Sequence, residues 1–143
     1  MTTRIDPDRP SAGSPVVGVI GYPVAHSLSP LLHHAAFGAL GLDWVSVGFA
    51  VEPGQLEEAL AGVRGLGLRG VSVTMPHKGR AAELVDRLSG PAATLGAVNC
   101  ITRDAGELVG HNTDGEGFLA SLRRGVGFDP AGRRCVVFGA RGA

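Results

Sequence analysis

Val71-Ser72-Val73-Thr74-Met75-Pro76-His77-Lys78 is the stretch on which the reading of this chain turns. A β-branched run stops at Thr74, Pro76 forbids further ladder pairing, and Lys78 falls in the first turn of a helix. A strand that hands over to a helix so quickly is the unit of an α/β fold. Lys78 is also the only lysine; the other twelve basic residues are arginines. The positive end of a helix dipole disfavours a cation, so helix stability does not choose a lysine there. The same field suits a group that moves protons. A solvated surface lysine is the plain alternative, and position and uniqueness favour chemistry over it.

Outward from that stretch, strands and helices alternate. Pro15 to Ile20 reads as a buried strand ending in Gly21. Leu28, Leu31, Leu32, Ala35, Ala39 and Leu40 then recur at helical spacing, with Ser29 as N-cap, Pro30 as first helical residue and Gly41 as the stop. Trp44 to Phe49 alternates as a strand, and Pro53 to Leu66 carries Leu56, Ala59, Leu60 and Val63 on one helical face. Gly70 to Thr74 is the third strand, Lys78 to Leu88 a helix, and Pro91 to Leu95 a short helical turn. Ala97 to Thr102 and Glu107 to His111 form a hairpin across Asp104-Ala105-Gly106. Thr113-Asp114-Gly115-Glu116 is a capping-box pattern that opens a helix through Phe118, Leu119 and Leu122. Gly125 to Gly132 is a Gly/Pro linker, and Arg133 to Gly139 is a last strand. The fold expected is α/β, a mostly parallel sheet with helices on both faces.

Composition bounds the function. The 143 residues are 44% hydrophobic and 18% charged with zero net charge, which fits one globular domain. No basic run occurs, so nucleic acid and membrane surfaces are not expected partners. No apolar stretch approaches the roughly 18 residues of a membrane span. Cys100 and Cys135 each sit in an apolar run and fit neither a disulfide framework nor a metal site, which makes a reducing cytoplasm the simplest setting. Residues 1–14 are polar and proline-bearing and read as a disordered lead-in. His26, His33, His34, His77 and His111 show no metal-binding spacing, with His33 and His34 expected on different helix faces; no metal is expected.

Ligands in parallel sheets bind beyond the carboxyl ends of the strands. Ser27 and Ser29 follow the first strand, where hydroxyls and free N–H groups either cap a helix or bind an anion. Thr74 closes the third strand or caps the next helix. Asn99 lies in an apolar run that disfavours it, as a satisfied core amide or a hydrogen-bonding pair for a ligand hydroxyl. Asn99 and Asn112 are the only asparagines. Asp114 is either a favourable charge at a helix start or the partner that orients Lys78. Gly139-Ala140-Arg141-Gly142-Ala143 after an apolar strand suggests the start of a dinucleotide-binding turn.

Together these motifs resemble the shikimate dehydrogenase family. The matching segments are Gly21 to Pro30 (Gly-Tyr-Pro-Val-Ala-His-Ser-Leu-Ser-Pro), Val73 to Lys78, Gly96 to Asn99, Asn112 to Gly115, and the tail Gly139 to Ala143. The resemblance implies a substrate domain at residues 15–126. Residues 127–143 would be a linker with the first strand and turn of a truncated Rossmann domain for NADP. It implies reversible NADPH-dependent reduction of 3-dehydroshikimate to shikimate on the chorismate route to aromatic amino acids. Ser27 and Ser29 would hold the substrate carboxylate, and Thr74, Lys78, Asn99 and Asp114 the ring hydroxyls. Lys78 and Asp114 would be catalytic, and Gly139, Ala140, Arg141, Gly142 and Ala143 would begin the NADP site. Three residues depart from the family pattern: Ser72 where Asn is frequent, Cys100 for Thr, and Arg141 for the central glycine of the phosphate turn. The chain reads as a fragment that transfers no hydride alone. A quinate/shikimate dehydrogenase and a non-redox shikimate-binding module are the alternatives, and a homodimer is an allowed assembly.

Overall fold

The computed structural model describes residues 10–136 and residue 138. Within them six strands form one mixed sheet in the order β2-β1-β3-β5-β6-β4. The strands are β1 (Val16–Gly21), β2 (Val45–Ala50), β3 (Gly70–Val73), β4 (Arg87–Leu88), β5 (Cys100–Asp104) and β6 (Glu107–His111). The helices are α1 (Ser29–Leu40), α2 (Leu56–Gly65), α3 (Lys78–Leu84), α4 (Gly90–Leu95) and α5 (Asp114–Val126). β1 pairs parallel with β2 and β3, and β4 pairs parallel with β6. β5 runs antiparallel to both β3 and β6. Hence β1, β3 and β6 end at one margin of the sheet, and β5 begins there.

Helices cover both faces. Phe49 packs on the cluster formed by Ile20, Leu56, Leu60, Val63, Val71 and Val73, which sits under α2. Ser46, three residues earlier on β2 and so on the opposite face, bonds to His33 of α1. α2 forms because Leu56, Leu60 and Val63 fall on one stripe and are buried, with Glu57 and Glu58 in its first turn and Arg64 in its last. α1 ends in a left-handed Gly41 whose N–H donates to Gly38, while Leu42 N–H reaches back to Phe37. The hairpin turns on Ala105 and Gly106, both with positive φ (48° and 93°), the backbone of a tight two-residue turn.

Several sequence expectations are corrected. α3 stops at Leu84 rather than Leu88, because β6 captures the chain beyond it. Asp86 exchanges bonds with Leu108, its N–H to the Leu108 carbonyl and its carboxylate to the Leu108 N–H, and Arg87–Leu88 pair with Val109–Gly110. β5 begins at Cys100 rather than Ala97, since Val98 N–H turns away to the Lys78 carbonyl. Ser29 is the first residue of α1 and not its N-cap; the cap position is Leu28. Thr113 holds the cap position of α5 without a side-chain cap bond, its hydroxyl being engaged elsewhere. α1 buries none of its residues, and Leu31, Leu32 and Leu40 are two-thirds exposed or more. His33 and His34 converge on one residue, Ser46, rather than diverging. Residues 133–136 of the expected last strand are exposed and carry no strand, having no ladder neighbour among the described residues.

Candidate active site

The margin where β1, β3 and β6 end gathers the residues singled out in the sequence. Thr74 follows β3, and its backbone N–H continues the ladder to the Ile20 carbonyl. Gly21 makes room for it: a Cβ at position 21 would stand 2.5 Å from the Thr74 methyl. Pro76 then breaks the strand and α3 opens on Lys78. Asn99 precedes β5, and Asn112, Thr113 and Asp114 follow β6. The hairpin therefore returns Asp114 to the level of Asn99.

A closed hydrogen-bond network results. Lys78 Nζ lies 2.8 Å from Asp114 Oδ2. Asn99 Nδ2 donates to Asp114 Oδ1 at 2.8 Å and to Thr113 Oγ1 at 2.9 Å. Thr113 N–H donates back to Asn99 Oδ1 at 3.0 Å, which fixes which way the amide faces. Asn112 is buried and pins the start of α5, its Nδ2 donating to the Ala97 carbonyl and its Oδ1 accepting the Asp114 N–H, both at 3.0 Å. The Lys78 side chain is 18% exposed and that of Asp114 47%, so the ion pair is shielded on the lysine side and open on the carboxylate side. One Lys78 N–H is used by Asp114, and two remain for a ligand oxygen.

Ser27 and Ser29 reach the same margin by following β1, but they are not bonded to this network. The Ser27 hydroxyl accepts the Ser29 N–H at 3.3 Å, and both residues are half-buried. The hydroxyls of Ser29 and Thr74 have no partner among the described residues. The margin thus presents two free hydroxyls, an ammonium and a carboxylate, a set suited to a small molecule bearing a carboxylate and several hydroxyls. A cavity of about 430 Å³ between α4 and α5 adjoins the network at Asn112. Neither Lys78 nor Asp114 lines it.

Cys100, next to Asn99, is half-buried, and burial pushes its thiol above the usual cysteine range. That disfavours a reactive thiolate and fits packing. Gly139, Ala140, Arg141, Gly142 and Ala143 lie outside the described residues. No group of three or more metal-ligating side chains occurs among the described residues. Two contributors were not foreseen as such. Thr113 fixes Asn99, and His77, 3% exposed, bonds to the Val51 carbonyl. The Asn112-Thr113-Asp114 run was a usable signal for the first, whereas nothing local marked the second.

Compared with known proteins, the chain matches the family described as shikimate dehydrogenase substrate binding domain over residues 19–101. It is similar to the shikimate dehydrogenase (NADP(+)) of Geobacter metallireducens, 56% identical over 128 residues, covering 90% of this chain and 45% of that protein. Among solved structures it is similar to shikimate 5-dehydrogenase from Listeria monocytogenes in complex with shikimate and NAD. The TM-score is 0.79 and the identity 40%, over 85% of this chain and 42% of that one. It is also similar to the ligand-free 5-ketofructose reductase of Gluconobacter sp. strain CHM43, with TM-score 0.75 and 33% identity, over 79% and 41%. The chain spans less than half the length of the curated relatives it matches.

Proposed function

The chain belongs to the shikimate dehydrogenase substrate-binding-domain family, and from that premise we propose that it is the substrate half of an enzyme that interconverts 3-dehydroshikimate and shikimate. The observation that carries the reading is the Lys78–Asp114–Asn99 network at the strand ends. Residues 15–126 are the substrate unit in this reading, and residues 127–143 lead towards a cofactor unit.

Ser27 and Ser29 receive the substrate carboxylate at the start of α1, where backbone N–H groups favour an anion. Thr74, Asn99 and Asp114 hold ring hydroxyls. NADPH, when bound, supplies the hydride to the carbonyl carbon. Lys78 gives a proton to the carbonyl oxygen as it becomes a hydroxyl, and takes it back in the reverse direction. Asp114 keeps the ammonium aimed, and its open side is free to accept a neighbouring hydroxyl. The residues proposed to begin the cofactor site are Gly139, Ala140, Arg141, Gly142 and Ala143, and no step is derived through them.

The test is a calorimetric titration of this chain with shikimate, alongside quinate and 5-ketofructose. Saturable shikimate binding, at least tenfold weaker in Lys78→Ala, is the expected result. Discrimination against 5-ketofructose, which has no carboxylate, would report on Ser27 and Ser29. The same preparation given NADPH and 3-dehydroshikimate is expected to show no turnover. A folded chain that does not bind shikimate would sink the reading.

A further inference from the structure

We infer that His77 is a positioning residue for Lys78, acting through the hydrogen bond its ring donates to the Val51 carbonyl. The inference rests on the proton-transfer role proposed for Lys78. The helix that carries this lysine is short, and beyond Ala81 only Ala82 and Leu84 pack, partly buried, against the core. α3 has seven residues, Ala81 is its one buried side chain, and no side chain caps its N-terminus. A helix so short has little stability of its own.

Contacts of the first turn fix it instead. His77 N–H donates to the Thr74 carbonyl at 3.0 Å, and the Lys78 carbonyl accepts the Val98 N–H at 2.9 Å. The His77 ring reaches in the other direction, with Nε2 2.7 Å from the Val51 carbonyl. A carbonyl only accepts, so Nε2 carries the proton. Val51 directly follows β2, and its own N–H donates to the Gly21 carbonyl at 3.1 Å. The ring therefore ties α3 to the ends of β2 and β1, while Val98 ties it on the β5 side. Lys78 sits between the two ties, one residue from the ring.

Removing the ring leaves the Val51 carbonyl, in a residue only 7% exposed, without its partner. A buried acceptor left unpaired is costlier than the net value of the bond, so the segment shifts to relieve it. The first turn is then free to pivot about the Val98 contact, and the ammonium leaves its seat 2.8 Å from Asp114. A ring that merely filled space would have no such effect.

Because Lys78 is the only lysine, lysine labelled with ¹³C at Cε gives this chain a single side-chain signal. Asp114→Asn supplies the reference value for a broken ion pair. His77→Phe fills the space without the ring N–H, His77→Ala removes both, and His77→Gln keeps a donor. The expectation is that His77→Phe and His77→Ala move the Lys78 signal at least halfway to the reference and weaken shikimate binding about tenfold, while His77→Gln restores both. If His77→Ala does not fold, His77→Phe decides alone. A Lys78 signal in His77→Phe that matches the parent overturns the inference, as does a parent signal identical to that of Asp114→Asn. A parent that binds no shikimate removes the proposed function, and the Lys78 signal still tests the tie.

Discussion

Asn99 is the residue on which the network depends most. Both of its donors are used, on Thr113 and Asp114, and its acceptor takes the Thr113 N–H. Asn99→Asp replaces a donor facing Asp114 with a second carboxylate. At pH 7 this variant should lose about 1–3 kcal/mol of stability, measured by urea unfolding. The loss should shrink on acidification, since protonating either carboxylate restores a donor between them. A pH-independent loss would mean that Asp114 and residue 99 do not share a proton path. Lys78 and Asn99 stood out in the sequence because rare residue types stood at element ends, and Asp114 because the capping-box pattern left it without a capping role. His77 was not. Its partner lies 26 positions away in the chain, and a contact of that span leaves no local pattern.

Between elements, the junction of α1 with β2 is built on two adjacent histidines. His33 Nδ1 meets Ser46 Oγ at 2.8 Å, and His34 Nε2 accepts the Ser46 N–H at 3.0 Å. Burial holds the His33 imidazole below the usual histidine range, and neighbouring His34 pushes the same way. A group whose pKa is depressed on folding contributes stability above its unfolded value, near pH 6.5, and that contribution is lost as the pH falls through the folded value. The midpoint of thermal unfolding should therefore drop between pH 7.5 and pH 5.5, and His33→Gln should flatten that drop. An unchanged slope in the variant would place the pH sensitivity elsewhere. Element types were largely readable from period and punctuation: β1, β2, β3, α2 and the hairpin fall within a few residues of expectation. The ends were not, because tertiary pairing decides them. Asp86 and Leu108 bond across elements, and that exchange, rather than any helix-stop residue, ends α3.

At the scale of the whole molecule, strand order does the assembling. Parallel pairing of β1 with β3, followed by the β5–β6 reversal, brings four separate stretches of chain to one margin. The sequence indicated an α/β sheet but not this order, because pairing between distant strands has no signature in either strand alone. It also suggested a helix at α1 without revealing that its leucines face outwards. Leu31 and Leu32 are 68% and 66% exposed, so Leu31→Glu combined with Leu32→Glu should change stability by no more than about 0.5 kcal/mol per site while reducing binding of a hydrophobic dye. A loss of several kcal/mol on unfolding would show that this surface is covered in solution. The tight turn at Ala105-Gly106 has a different consequence. About 17 Å of ladder separates it from the margin that holds Lys78 and Asp114. Lengthening a surface loop costs little, and the pairing of Cys100 with His111 sets the level of the chemistry whatever happens at the tip. The turn is thus a port through which the molecule can gain an insertion, a tag or a tether without the Lys78–Asp114 margin registering the change.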